Sequence, residues 1–208
     1  VGVSNTVIGR SAMAAGSGGS SNTAIGYTSL YNNNASENTA VGYQSLYTNS
    51  TGAYNTAVGH KALQFTTTGQ INTAVGNAAM QTNTTGGNNA AVGQATLFRN
   101  TTGSFNSALG YQSGDYVTTG SYNTYLGYGT GGTSLTTGIG NLYVGYNSIA
   151  SGNTNFEIVV AVGGIAGKGS STGFISPNSG GVYQGNNSST WSTVSDERLK
   201  KNIVDNND

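Results

Sequence analysis

The sequence predicts an all-β chain, a parallel β-solenoid (β-roll) of 17-residue coils that assembles as a homotrimer. Three observations predict it. A five-residue unit, most often Asn-Thr-Ala-Val-Gly, starts at Asn5, Asn22, Asn38, Asn55, Asn72, Asn89, Asn106, Asn123 and Asn141, at steps of 17, 16, 17, 17, 17, 17, 17 and 18 residues. Its fifth residue is Gly in every copy, from Gly9 to Gly145. Its fourth is always a branched aliphatic, among them Ile8, Val41, Val58, Val75, Leu126 and Val144. An internal period fixes the class of architecture, and seventeen residues are too few for a helical hairpin. They suit one coil of two short strands and two turns.

Each position of the coil has a physical reading. The first, as at Asn38, Asn55 and Asn72, is Asn, which tolerates turn geometry and bonds to nearby backbone; stacked amides are also placed to bond to one another. The fourth, as at Val41, Val58 and Val75, is β-branched and is expected to form an apolar ladder in the lumen. The fifth, as at Gly42, Gly59 and Gly76, marks a turn with positive φ or a close backbone approach. The ninth, as at Leu30, Leu46, Leu63, Met80 and Leu97, is a second apolar contact, and Gly52, Gly69, Gly86, Gly103 and Gly120 mark a second corner. The third alternates with the fourth, so Ala40, Ala57, Ala74, Ala91 and Ala108 are expected to face away from the lumen. Small apolar residues there suit close approach of another chain, which makes these alanines the candidate trimer interface. Tyr54, Ile71, Phe105 and Tyr122, at the end of the coil, are placed to pack across the same boundary.

Composition bounds the function. Of 208 residues 34 are Gly, roughly twice the usual share of about 7%. A core would be thin, and composition alone leaves a disordered polar chain open; the alternation of Ala with branched aliphatics argues against it. The low apolar content per coil argues against a solenoid without a partner. There is no Cys and one His, His60, so no disulfide, no metal site and no cofactor is expected. Seven bases balance seven acids, which argues against a nucleic-acid partner. No apolar run of about 18 residues is present, so no membrane insertion is expected. The charge is uneven: Asp196, Glu197, Arg198, Lys200, Lys201, Asp205 and Asp208 crowd the last thirteen residues.

The chain divides into a solenoid shaft or head over 1–150, a β-rich interwound connector over 151–194, and a junction over 195–208. The stretch 151–194 loses the period and carries the only Pro, Pro177, and the only Trp, Trp191. Gly164–Gly169 has the look of a phosphate loop, but Gly169 stands after Lys168 where Ser or Thr is needed, so a glycine-rich turn is the better reading.

The repeats over 5–150 resemble those in the heads of trimeric autotransporter adhesins, which implies a parallel β-roll of three chains. The C-terminal "STWSTVSDERLKKNI" resembles the junction of phage tail spikes and fibres with the intramolecular chaperone domain called the S74 peptidase. The matching residues are Ser195, Asp196, Arg198, Lys200, Lys201, Asn202 and Ile203. The resemblance implies self-cleavage between Ser195 and Asp196, with Ser195 as nucleophile and Lys200 as base, conditional on a chaperone domain farther on. A Ser hydroxyl needs a base, and a desolvated Lys can serve. The other reading of this stretch is a solvated helix start with Ser195 or Asp196 as N-cap.

The expected function is therefore structural: a trimeric fibre segment of a phage or phage-like particle, located on the virion or outside the cell, that supports or performs host attachment. A glycan or protein receptor is the possible further partner. The head of a bacterial surface adhesin is the alternative. An ice-binding solenoid is a third reading, prompted by Thr6, Thr23, Thr39, Thr56 and Thr73 in register but interrupted at Ala90 and Leu142. A glycan-cleaving spike needs paired carboxylates, and Glu37 and Asp115 lie coils apart. The segment itself is not expected to be an enzyme. Tyr27, Tyr43, Tyr111, Tyr128 and Tyr146, at the sixth position, read as a structural ladder, with stacking on sugars as the competing role.

Overall fold

The computed structural model describes residues 2–17, 19–164, 166–176, 181–184 and 191–194. Each repeat contributes one three-residue strand: β1 (Thr6–Ile8), β2 (Thr23–Ile25), β3 (Thr39–Val41), β4 (Thr56–Val58), β5 (Thr73–Val75), β6 (Ala90–Val92), β7 (Ser107–Leu109), β8 (Thr124–Leu126) and β9 (Leu142–Val144). Four-residue strands follow: β10 (Ile158–Ala161), β11 (Gly173–Ser176), β12 (Gly181–Gln184) and β13 (Trp191–Val194). All lie in one 13-stranded sheet in sequence order. Pairing is parallel from β1 to β11, and like pairs with like: Ala40 faces Ala57, and Ala57 faces Ala74. Strands β12 and β13 pair antiparallel. The chain is a parallel β-solenoid, all-β among the described residues. The parallel pairing of β10 and β11 carries the solenoid to Ser176, past the boundary that the loss of the 17-residue period suggests.

The coil has one strand rather than the expected two. Where the second strand was expected, the seventh and ninth residues adopt left-handed backbone: φ is 53° at Gln44 and 48° at Leu46, 58° at Lys61 and 49° at Leu63. Extended pairing is impossible there, yet the coils still bond to one another. Leu46 N–H donates to Ala62 O at 3.0 Å, and Leu63 N–H donates to Ala79 O at 3.0 Å. Backbone groups are thus satisfied by stacking without strand geometry.

The orientation of the strand is the main correction to the sequence reading. Ala40, Ala57, Ala74 and Ala91 are fully buried and Ala108 nearly so, and they point into the lumen. The branched aliphatics point out: Leu109 is 51% exposed and Val92 39%. A coil closed by one short strand and tight turns has a narrow interior. One long side chain per coil fills it, and Leu30, Leu46, Leu63, Met80 and Leu97 are all fully buried. Opposite them only a methyl group fits. The alanines therefore belong to the core of a single chain and are withdrawn as the trimer interface.

The change of side chain in the last coils follows the same volume rule. Tyr125 and Tyr143 replace Ala in the lumen and are fully buried. Room for Tyr125 comes from Gly114 and Gly131, which occupy the ninth position in place of Leu. A Cβ on Gly114 would stand 2.9 Å from the Tyr125 ring, and one on Gly131 would stand 2.8 Å from it.

Candidate functional site

Two polar ladders hold the coils in register. The first runs through the leading Asn of each repeat, half-buried at Asn5 and buried from Asn22 to Asn141. Asn38 Oδ1 accepts from the N–H of Asn55 at 2.9 Å, and Asn55 Oδ1 accepts from the N–H of Asn72 at 3.0 Å. The side-chain amides donate across their own coil to the second corner, Asn55 to Gly69 O and Asn72 to Gly86 O, each at 2.9 Å. Each Asn thus ties the two corners of one coil and the start of the next. The corner glycines are required by contact. A Cβ on Gly42 would overlap the carbonyl of Gly59, one on Gly59 would overlap that of Gly76, and φ at Gly42, Gly59 and Gly76 is 135–138°. These repeat residues are structural.

At the end of the regular coils Glu157 takes over the Asn position. Its N–H donates to Asn141 Oδ1 at 2.8 Å, and its fully buried carboxylate accepts from Tyr143 Oη at 2.8 Å, Ser151 Oγ at 2.9 Å, Thr154 Oγ1 at 3.0 Å and Gly169 N–H at 2.8 Å. Burial pushes the Tyr143 hydroxyl well above its ordinary value, so it stays protonated and donates to the Glu157 carboxylate. Nothing in the sequence alone distinguished this acid from a surface one.

The outward strand face is a candidate interaction surface. Val41, Val58 and Val75 are half-buried on it, and Val92, Leu109 and Leu126 are exposed. The last residue of four coils flanks it with exposed Tyr54, Ile71, Phe105 and Tyr122, while Glu37 and Asn88 stand at the same position in two others. Between them runs the threonine column, with Thr39 opposite Thr56 and Thr56 opposite Thr73. A column of branched aliphatics running beside a threonine column on a polar, glycine-rich rod is suited to an interaction surface. The sixth-position rings form ladders, as expected. Tyr27 stacks on Tyr43 and Tyr43 on His60 with centroids 5.4 and 5.0 Å apart, and Tyr111, Tyr128 and Tyr146 stack at 5.2 Å each.

Of the other residues singled out from the sequence, Ser195, Asp196 and Lys200 lie outside the described residues. Among the described residues no group of His, Cys, Asp and Glu is placed to hold a metal ion, and no helix is long and apolar enough to cross a membrane. Comparison with protein-family models, curated proteins and solved structures finds no match to this chain.

Proposed function

We propose that the chain is a structural segment of a trimeric fibre of a phage or phage-like particle, placed on the virion or outside the cell, where it supports or performs attachment to a host surface. The observation that supports the trimer is the outward strand face. Its column of branched aliphatics runs along the rod from strand to strand, so three copies packed about a common axis bury it on every chain at once. The fibre setting rests on the resemblance of the repeats and of Ser195–Ile203. The head of a trimeric surface adhesin has the same needs; the charged C-terminal stretch favours the fibre.

Light scattering on the purified chain tests this directly. A particle of three chain masses is expected, and a stable folded monomer overturns the reading. The ice-binding alternative gains one observation, since the threonines do face outward in register. A trimer that buries this face shows no thermal hysteresis; hysteresis from a monomer favours the ice surface instead.

The self-cleavage reading belongs to the same proposal. Where a chaperone domain follows the junction, Ser195 Oγ attacks the carbonyl of the bond to Asp196, Lys200 takes the Ser195 proton and passes it to the leaving Asp196 amine, and water hydrolyses the resulting ester. A trimeric β-fibre completes slow, non-local assembly, and removal of the domain that set its register traps the product. The full gene and its Ser195→Ala variant are compared by chain mass. The wild type is expected to be cut and the variant intact; cleavage of the variant at the same bond overturns the assignment.

A further inference from the structure

The seventh and eighth coils depart from the pattern and open a pocket of about 340 Å³ on the flank of the rod. The cause lies in the sequence. The repeat that starts at Asn123 runs 18 residues where the five before it run 17 each, and it carries Gly129, Gly131 and Gly132. In the preceding coils the eleventh residue bonds upward: Thr48 N–H donates to Gln64 O and Arg99 N–H to Asp115 O, both at 3.1 Å. Among the described residues no equivalent bond joins Tyr116 to Gly132. The stacking parts at that point, and glycines leave the gap unfilled.

The lining is unlike the rest of the surface. Tyr116 supplies an aromatic wall, Tyr128, stacked on both faces by Tyr111 and Tyr146, supplies a ring edge, and Gln112, Asp115, Thr133 and Asn147 supply polar groups. Asp115 stands where Tyr31, Tyr47 and Phe98 stand in other coils. It is 8% exposed, and its Oδ1 has no hydrogen-bond partner. A buried carboxylate oxygen without a donor is costly and signals a donor supplied by something else.

We propose that this pocket binds a neutral pyranose ring of a surface glycan. The chemistry favours a sugar over other occupants. A pyranose has an apolar face for a tyrosine ring and hydroxyls that donate to a carboxylate and both donate to and accept from side-chain amides. The volume is at the small end of the usual range for small-molecule sites, about 300–1,000 Å³, which fits one ring rather than a chain. Arg99 offsets the charge of Asp115, so the site carries no net charge to hold an anion or a quaternary ammonium. The inference gives the attachment reading a ligand class, and rests on that reading for where the sugar is met.

Saturation-transfer NMR on the full chain tests it, with the methyl glycosides of glucose, galactose, mannose and N-acetylglucosamine, and tetramethylammonium chloride as the cationic competitor. Transfer to the ring protons of at least one glycoside is expected. Asp115→Asn removes the charge at nearly constant shape, and Thr133→Trp blocks the pocket from its exposed rim. Each is expected to weaken binding about tenfold or more, circular dichroism confirming the fold. No transfer to any glycoside overturns the proposal. So does unchanged affinity in both variants, or saturation of tetramethylammonium in place of the sugars. Light scattering on the same samples separates the two readings: a trimer that binds no glycoside overturns the pocket alone, and a monomer that binds one overturns the trimer alone.

Discussion

Left-handed backbone at non-glycine residues is what closes this coil. Three positions per repeat adopt it, for example Ala78 at φ 55°, Met80 at 49° and Asn88 at 59°. Each costs about 1–2 kcal/mol for an ordinary L-residue, and the coils above and below hold it in place. Ala78 is therefore a site where Gly is the better residue. Ala78→Gly is expected to stabilise by about 0.5–1 kcal/mol, while Ala74→Gly, in the strand and the lumen, destabilises by about 1–2 kcal/mol. Opposite shifts of the two midpoints in urea check this; the same sign in both removes the backbone argument. Asp115 carries a different cost. Burial pushes its carboxyl above the usual range, and Arg99 pulls it partly back. The folded chain then holds the Asp115 proton to higher pH than the unfolded chain does. Stability from this group falls as pH rises from the ordinary Asp value of about 3.9 to the raised folded value. Asp115→Asn is expected to raise the melting temperature at neutral pH, with the gain shrinking toward about pH 3. A gain independent of pH means that the charge is not the cause. The fifth-position glycines were legible from the sequence because one residue type answers both demands, positive φ and close approach. The left-handed Ala, Leu and Lys positions were not, since those residues carry no mark of the conformation forced on them.

Within the coil, the period and the pairing were readable and the facing was not. Like residues at a fixed step must stack, so the parallel register followed from spacing alone. Which face of a three-residue strand turns inward depends on the lumen volume, and hydrophobicity pointed the wrong way: Val is more apolar than Ala, but only Ala fits opposite Leu. The pairing of Tyr125 with Gly114 and Gly131 was the usable signal, because large and small exchange sides only across a shared interior. The second polar ladder shows how sharply such columns depend on their neighbours. Asn49 Nδ2 donates to Asn33 Oδ1 at 2.6 Å, and Asn100 Nδ2 donates to Asn83 Oδ1 at 2.9 Å. Between them stands Thr66, and the column breaks: Asn49 Oδ1 and Thr66 Oγ1 are buried without partners. The upper break has the same origin, for Asn100 Oδ1 is unpartnered where Val117 replaces Asn in the next coil. Thr66→Asn joins the two halves. Its amide reaches Asn49 Oδ1, and its oxygen accepts from Asn83, whose Nδ2 donates only to Gly86 O. A gain of about 1–2 kcal/mol in chemical denaturation is expected, since two bonds form and two buried atoms cease to be orphans. A loss means that the site cannot hold the larger side chain.

At the scale of the whole rod, the inverted strand changes what a substitution reports. Nine rises of about 4.8 Å between β1 and β10 give a rod of roughly 43 Å, with the Val and Thr columns along one side. The expectation of a partner along the strand rested on outward alanines, and the structure turns those alanines into the lumen and the branched aliphatics outward. The glycan pocket was not legible at all from spacing, because it arises where one added residue parts two coils. The two candidate faces now predict opposite outcomes. Ala57 is in the lumen, and an arginine there has no exit and no partner; Ala57→Arg is expected to prevent the chain from folding, with loss of the β signal in circular dichroism. Val75 is half-buried on the outer face of β5, so an arginine there reaches water in the single chain and leaves the coil intact. In a trimer packed through that face, three copies of the charge meet near the axis with no acid on β5 or its neighbours β4 and β6 to pair with them. Val75→Arg is therefore expected to give a folded monomer: an unchanged β spectrum with a scattering mass one third that of the wild type. If Val75→Arg remains a trimer, the strand face is not the contact between chains, and the flanking column of Tyr54, Ile71, Phe105 and Tyr122 becomes the surface to test.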